Sequence, residues 1–101
     1  MRHSAMLRID AVLISEQVAE KLIVKHHLES EEAYEVFIEA PAYRFFEKGD
    51  QEGEDLWAAL GPTEAGRYVI VFFIYKKTYE ALVVSARDMT ETERRWYGRR
   101  S

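Results

Sequence analysis

The chain contains no cysteine, which excludes disulfides, thiol nucleophiles and zinc–thiolate sites. Prolines number two and glycines five in 101 residues, and no linker, internal repeat or low-complexity segment divides the chain. No apolar run approaches the ~18 residues needed to span a bilayer. Met1-Arg2-His3 is not followed by an apolar region and a small-residue cleavage site, so no secretory signal is read there and a cytoplasmic location is expected. Histidines number three, and His26 and His27 are adjacent rather than four apart. That spacing does not make a helical metal site, and neither a metal nor another cofactor is expected. An excess of positive charge is also missing: 14 Lys and Arg stand against 18 Asp and Glu, a formal charge of −4.

What remains is the composition of a globular chain, 48% hydrophobic and 32% charged, long enough for one domain over residues 1–101 with a single core. The charges are segregated. Glu29 to Asp55 is acidic, relieved only by Arg44 and Lys48. From Arg67 onward Arg67, Lys76, Lys77, Arg87, Arg94, Arg95, Arg99 and Arg100 outnumber Glu80, Asp88, Glu91 and Glu93. A basic face on an acidic body would suit an anionic partner despite the net charge.

Apolar periodicity gives the fold class. Leu7 to Leu13 reads as a short first strand. Ser15 caps a helix running to about His27, with Val18, Ala19, Leu22, Ile23 and His26 as its buried stripe. Ser30 starts a second helix with Glu31 and Glu32 in its first turn, where the helix dipole favours them. Ala33, Val36, Phe37 and Ala40 form its apolar face, and Pro41 stops it. Strands then follow at Tyr43–Glu47 and Leu56–Leu60, separated by polar glycine turns. Val69 to Ile74 is apolar at both parities and so predicts a central strand covered on both faces. Tyr79 to Ala86 pairs with it across the Lys76-Lys77-Thr78 connection. Thr90 and Glu93 form a capping box for a last helix that Gly98 ends. The expected class is α+β, an antiparallel meander packed against two N-terminal helices and a short C-terminal one.

Arg67 and Arg87 are the first candidates for chemistry. Antiparallel pairing brings the start of one strand beside the end of the other, so both guanidinium groups are expected at one end of the sheet. Two such forks suit a phosphate, whose oxygens they bind in a bidentate way. The alternative pairs Arg67 with Glu64 or Glu54 and Arg87 with Asp88 as surface ion pairs. Lys25-His26-His27 closes the first helix. A histidine can move protons near neutral pH, and at a helix end it also serves as a dipole cap. Lys76, Lys77 and Glu80 flank the hairpin connection as candidates for substrate contact or a base. Tyr97 follows Arg94 and Arg95, an interleaving that suits stacking on unpaired bases, while Trp96 reads as an anchor to the sheet.

Taken in order, Lys25-His26, Ser30-Glu31-Glu32 with Val36-Phe37, Gly61, Gly66-Arg67, Ser85-Ala86-Arg87 and Glu93-Arg94 through Tyr97 resemble the BrnT toxins of type II toxin–antitoxin pairs. The resemblance implies a RelE-like fold and a cytoplasmic endoribonuclease that inhibits translation by cutting RNA without a metal. It also implies a cognate antitoxin with a DNA-binding segment, of ribbon–helix–helix type. On it, His26, Arg67 and Arg87 are the catalytic candidates, and Lys25, Lys76, Lys77, Glu80 and Tyr97 the substrate-binding ones. Two positions depart from the family's pattern. Glu54-Asp55-Leu56-Trp57 stands where a Glu-Arg pair is usual, and His27 stands where a glycine follows Lys-His. The other reading is a catalytically inactive module on the same scaffold, pairing with a small antitoxin-type protein.

Overall fold

A computed structural model describes residues 7–39 and 41–99. The elements run β1 (Ala11–Leu13), α1 (Glu16–His26), α2 (Ser30–Ile38), β2 (Ala42–Glu47), β3 (Asp55–Pro62), β4 (Tyr68–Tyr75), β5 (Glu80–Asp88) and α3 (Glu91–Arg99). They form one five-stranded sheet in the order β1-β5-β4-β3-β2. Strands β2 to β5 are antiparallel neighbours. β1 lies parallel to β5, so the sheet is mixed rather than wholly antiparallel. The α+β class stands. The first strand is shorter than Leu7–Leu13; Arg8 and Asp10 instead pair with each other ahead of it.

β4 sits in the middle of the sheet, and its two parities serve two cores. Val69, Val71 and Phe73 face α1 and α2, together with Leu22, Leu28, Ala33, Val36, Ala59 and Val83. Ile70 faces the other way with Ala58, Leu60 and Met89, under the rings of Tyr68, Phe72, Trp96 and Tyr97. Trp96 is therefore the anchor of α3, as its sequence context suggests. α3 covers only the end of this second face. Among the described residues, no helix is long and apolar enough to cross a membrane.

The helix boundaries follow from their caps. Ser15 Oγ accepts from the Val18 amide at 3.1 Å, and Thr90 and Glu93 close a reciprocal box at the start of α3. α3 runs through Gly98 to Arg99 rather than ending at the glycine. At α2 the Glu29 amide donates to the Glu32 carboxylate at 2.9 Å. Ala40, expected on the apolar face of α2, lies outside the described residues, as does the tail at 100–101. The stripe of α1 is narrower than expected. Leu22 is fully buried and Val18, Ala19 and His26 half-buried, but Ile23 is 44% exposed. α1 rests mainly on β5, near the sheet edge, which leaves room for one row of side chains only.

That narrow seat makes a clear test. Leu22→Ala should cost ~2–5 kcal/mol in urea unfolding because it removes a fully buried side chain. Ile23→Ala, one residue away, should cost about 1 kcal/mol or less.

Candidate functional site

α1 ends at His26, and His27 adopts left-handed backbone angles, φ 51° and ψ 43°. Glycine takes this conformation without a Cβ penalty, whereas a histidine is held in it by its surroundings. The departure at this position therefore leaves the geometry of the helix end intact. The turn exposes the carbonyls of His26 and His27, which the helix itself cannot satisfy.

Arg67 satisfies them. Its Nη2 donates to the His26 carbonyl at 3.0 Å and its Nη1 to the His27 carbonyl at 2.9 Å. Nε and Nη2 donate to the two oxygens of Asp88 at 2.6 and 3.3 Å, and Nη1 reaches the Glu32 carboxylate at 3.3 Å. A guanidinium has five N–H groups, and all five are engaged. The residue itself is delivered by a tight turn. Gly66 has φ 91°, Gly66 N–H donates to the Thr63 carbonyl at 2.9 Å, and the Arg67 amide donates to Thr63 Oγ1 at 3.1 Å. Glu35 of α2 accepts from the Glu64 amide at 3.0 Å and fixes that turn beneath the helix.

Arg87 lies at the same end of the sheet but on its other face. It pairs bidentately with Glu93 at 2.8 and 2.9 Å, lies 5.4 Å above the Phe72 ring, and donates from Nη1 to the Asp88 carbonyl at 3.1 Å. The cause is a bulge. Phe72 pairs with Ser85 and Phe73 with Val83, so Val84 is an extra residue in β5. Were the same residues paired without the bulge, Arg87 would share the face of Ala81 and Val83, where Arg67 lies; one residue of slip reverses every side chain beyond it. The expectation that the two guanidinium groups meet in one pocket is corrected on this ground. They share a rim, not a face. Their expected ion-pair partners change too, from Glu64 or Glu54 to Asp88 and Glu32 for Arg67, and from Asp88 to Glu93 for Arg87.

Asp88 is the node that sequence reasoning missed as such. Its side chain takes Arg67, its carbonyl takes Arg87, and its carboxyl is held below the usual range by the Arg67 hydrogen bonds, with a smaller contribution from the charge of His26. Glu93 is likewise lowered, mainly by Arg87 and with help from Thr90. His26, Arg67, Asp88 and Arg87 thus gather at one rim, with Lys25 exposed in the last turn of α1. Lys76, Lys77 and Glu80 do not join them. β4 separates the two ends by ~23 Å at ~3.3 Å per residue. At the far end Lys77 pairs with Glu52 at 2.7 Å, and Glu80 accepts from Thr78 at 2.8 Å. Tyr97 sits on α3 with its ring 6.1 Å from that of Tyr68. Among the described residues, no three His, Asp or Glu side chains cluster as metal ligands.

Two outcomes test this arrangement. Arg67→Ala should lower stability by roughly 1–3 kcal/mol in thermal or urea unfolding, since it takes the partner from two helix carbonyls and the Asp88 carboxylate. Arg67→Lys, with three donors on one atom, should recover less than half of that loss. Asp88 and Glu93 have folded pKa values below their unfolded ones. Their contribution is therefore complete above about pH 4 and is lost as pH falls through the folded values. Asp88→Asn should narrow the stability difference between pH 7 and pH 3, and an unchanged difference would remove Asp88 from the account.

The family described as "Ribonuclease toxin, BrnT, of type II toxin-antitoxin system" matches residues 15–93, from the cap of α1 to the glutamate that holds Arg87. No curated protein matches the chain. A match over most of the length settles the resemblance read from the sequence: the chain belongs to the BrnT family, the ribonuclease toxins of type II toxin–antitoxin systems, which act with an antitoxin as partner.

Proposed function

We propose that this protein is a metal-independent endoribonuclease that cuts RNA in the cytoplasm and thereby inhibits translation. Its antitoxin carries a DNA-binding segment of ribbon–helix–helix type. The observation that supports the reading is the grouping of His26, Arg67 and Arg87 around Asp88 at one rim. RNA crossing that rim meets His26 on one side and Arg87 on the other.

The chemistry needs three services. A base takes the proton of the ribose 2′-hydroxyl, whose oxygen attacks the adjacent phosphorus. An acid protonates the departing 5′-oxygen as the P–O5′ bond breaks, leaving a 2′,3′-cyclic phosphate. A cation stabilises the charge that develops between these events. His26 suits proton transfer. Arg87 spends three of its N–H groups on Glu93 and the Asp88 carbonyl, which leaves two for a phosphate oxygen. Arg67 acts as a positioning residue, since its hydrogen bonds hold the turn that carries His26 and the carboxylate of Asp88. Lys25, Lys76, Lys77 and Glu80 serve the flanks of the strand, and Tyr97 a base beside α3.

Expression of the protein should arrest growth, and purified protein should cut labelled RNA with a chelator present. His26→Gln and Arg87→Ala should each lower the cleavage rate by about 100-fold or more. Harmless expression together with intact RNA would return the chain to the inactive binding module. Cleavage abolished by the chelator would overturn the metal-free route.

A further inference from the structure

The half of the second sheet face that α3 leaves open carries a strip of alternating cations and rings. The register runs Arg44, Ala58, Phe72, Ser85 straight across β2, β3, β4 and β5. Phe46, two residues on from Arg44, falls on this same face by strand alternation, just where the register shifts between Phe45 and Glu47. The small side chain of Ala58 on the intervening strand lets the Phe46 ring reach Phe72, edge to face at 5.1 Å. The Arg44 guanidinium lies 5.8 Å from the Phe46 ring and 5.1 Å from that of Trp96. Arg87 lies over Phe72 from the other side, and Arg94 lies 4.3 Å above Tyr68 beyond it.

Phe46 is 44% exposed at an edge strand, where a large ring would ordinarily be avoided. Among the described residues, Arg44 has no carboxylate at ion-pair distance, and only rings flank it. Such contacts at an exposed site are worth about 0.5–1 kcal/mol each, weak enough for a ligand to exchange them. Arg44, Arg87 and Arg94 stand on this face, with Glu93 as the partner of Arg87, while α1 and α2 carry further glutamates on the opposite side. Exposed rings beside unpaired arginine are what an unstacked base and its phosphate need. A duplex, with its bases already stacked, gains nothing from them.

We propose that Phe46, with Phe72 beneath it and Arg44 beside it, is a stacking platform for one unpaired nucleotide of the RNA, level with Ser85, which lies two residues along β5 from Arg87. The inference rests on the nuclease reading for its ligand, and it adds a residue that selects single-stranded over paired RNA. Phe46 takes the base and Arg44 the phosphate. Arg87 then faces the next phosphate toward the rim.

The test is equilibrium binding of a fluorescein-labelled, uncleavable 2′-O-methyl single strand and of the duplex made from it. The protein should bind the single strand more tightly than the duplex. Phe46→Ala should weaken single-strand binding about tenfold, the value of one lost base stack, while Phe46→Trp keeps it. Arg44→Ala should reduce its salt dependence. Circular dichroism of each variant separates this from misfolding. Equal affinity for strand and duplex, or for wild type and Phe46→Ala, would overturn the platform. So would failure of any oligonucleotide to bind while Phe46→Ala weakens capture of the purified antitoxin, which would make the face a protein interface. If the single strand binds through Phe46 but RNA stays uncut, the platform stands and the nuclease reading falls. If RNA is cut and Phe46→Ala leaves KM unchanged, the reverse holds.

Discussion

One guanidinium joins the helical layer to the sheet. Arg67 stands at the start of the central strand and spends its donors on the end of α1, the first turn of α2 and the end of β5. Without it the two helix-end carbonyls and the Asp88 carboxylate would lose their partner, and Glu32 would keep only the Glu29 amide. The hydrophobic layers hold the fold together but are non-directional. This cation instead fixes where the helix end stops, and with it where His26 stands. An anion that recruits Arg67 has to displace Asp88, Glu32 or the carbonyls of α1. Binding there is coupled to the position of the helix.

The same logic divides the molecule into two electrostatic sides. The sheet is thin, about one layer of backbone, and its central strand sends alternate residues to opposite cores. One side carries the acidic helices. The other carries Arg44, Arg87 and Arg94 over aromatic rings. Net charge averages over this division and so says little about the surface a ligand meets.

Much of the fold was legible in sequence because its signals are local. The capping box at Thr90 and Glu93, the serine cap at Ser15 and the doubly apolar run of β4 each depend on residues a few positions apart. The family was legible because short motifs recur in order. That Arg67 and Arg87 share one end of the sheet was legible, but which face each occupies was not. Arg67 and Glu32 are far apart in the chain, and nothing local marks them as partners. Phe46 reads as one more strand residue until the strand order sets Phe72 within reach of its ring. The fate of Arg87 turned on Val84, a residue whose type carries no mark of being supernumerary.

That extra residue has a consequence for how relatives are compared. Beyond a bulge, the side a residue occupies is decided by the residue it pairs with, not by a count of positions from the start of the strand. A chain lacking one residue at Val84 would keep the Ser-Ala-Arg motif letter for letter and still send its arginine away from the helices, because Ser85 stays opposite Phe72. Strand length can thus differ by one residue at this point between two members while both offer an incoming polymer the same side of the ribbon.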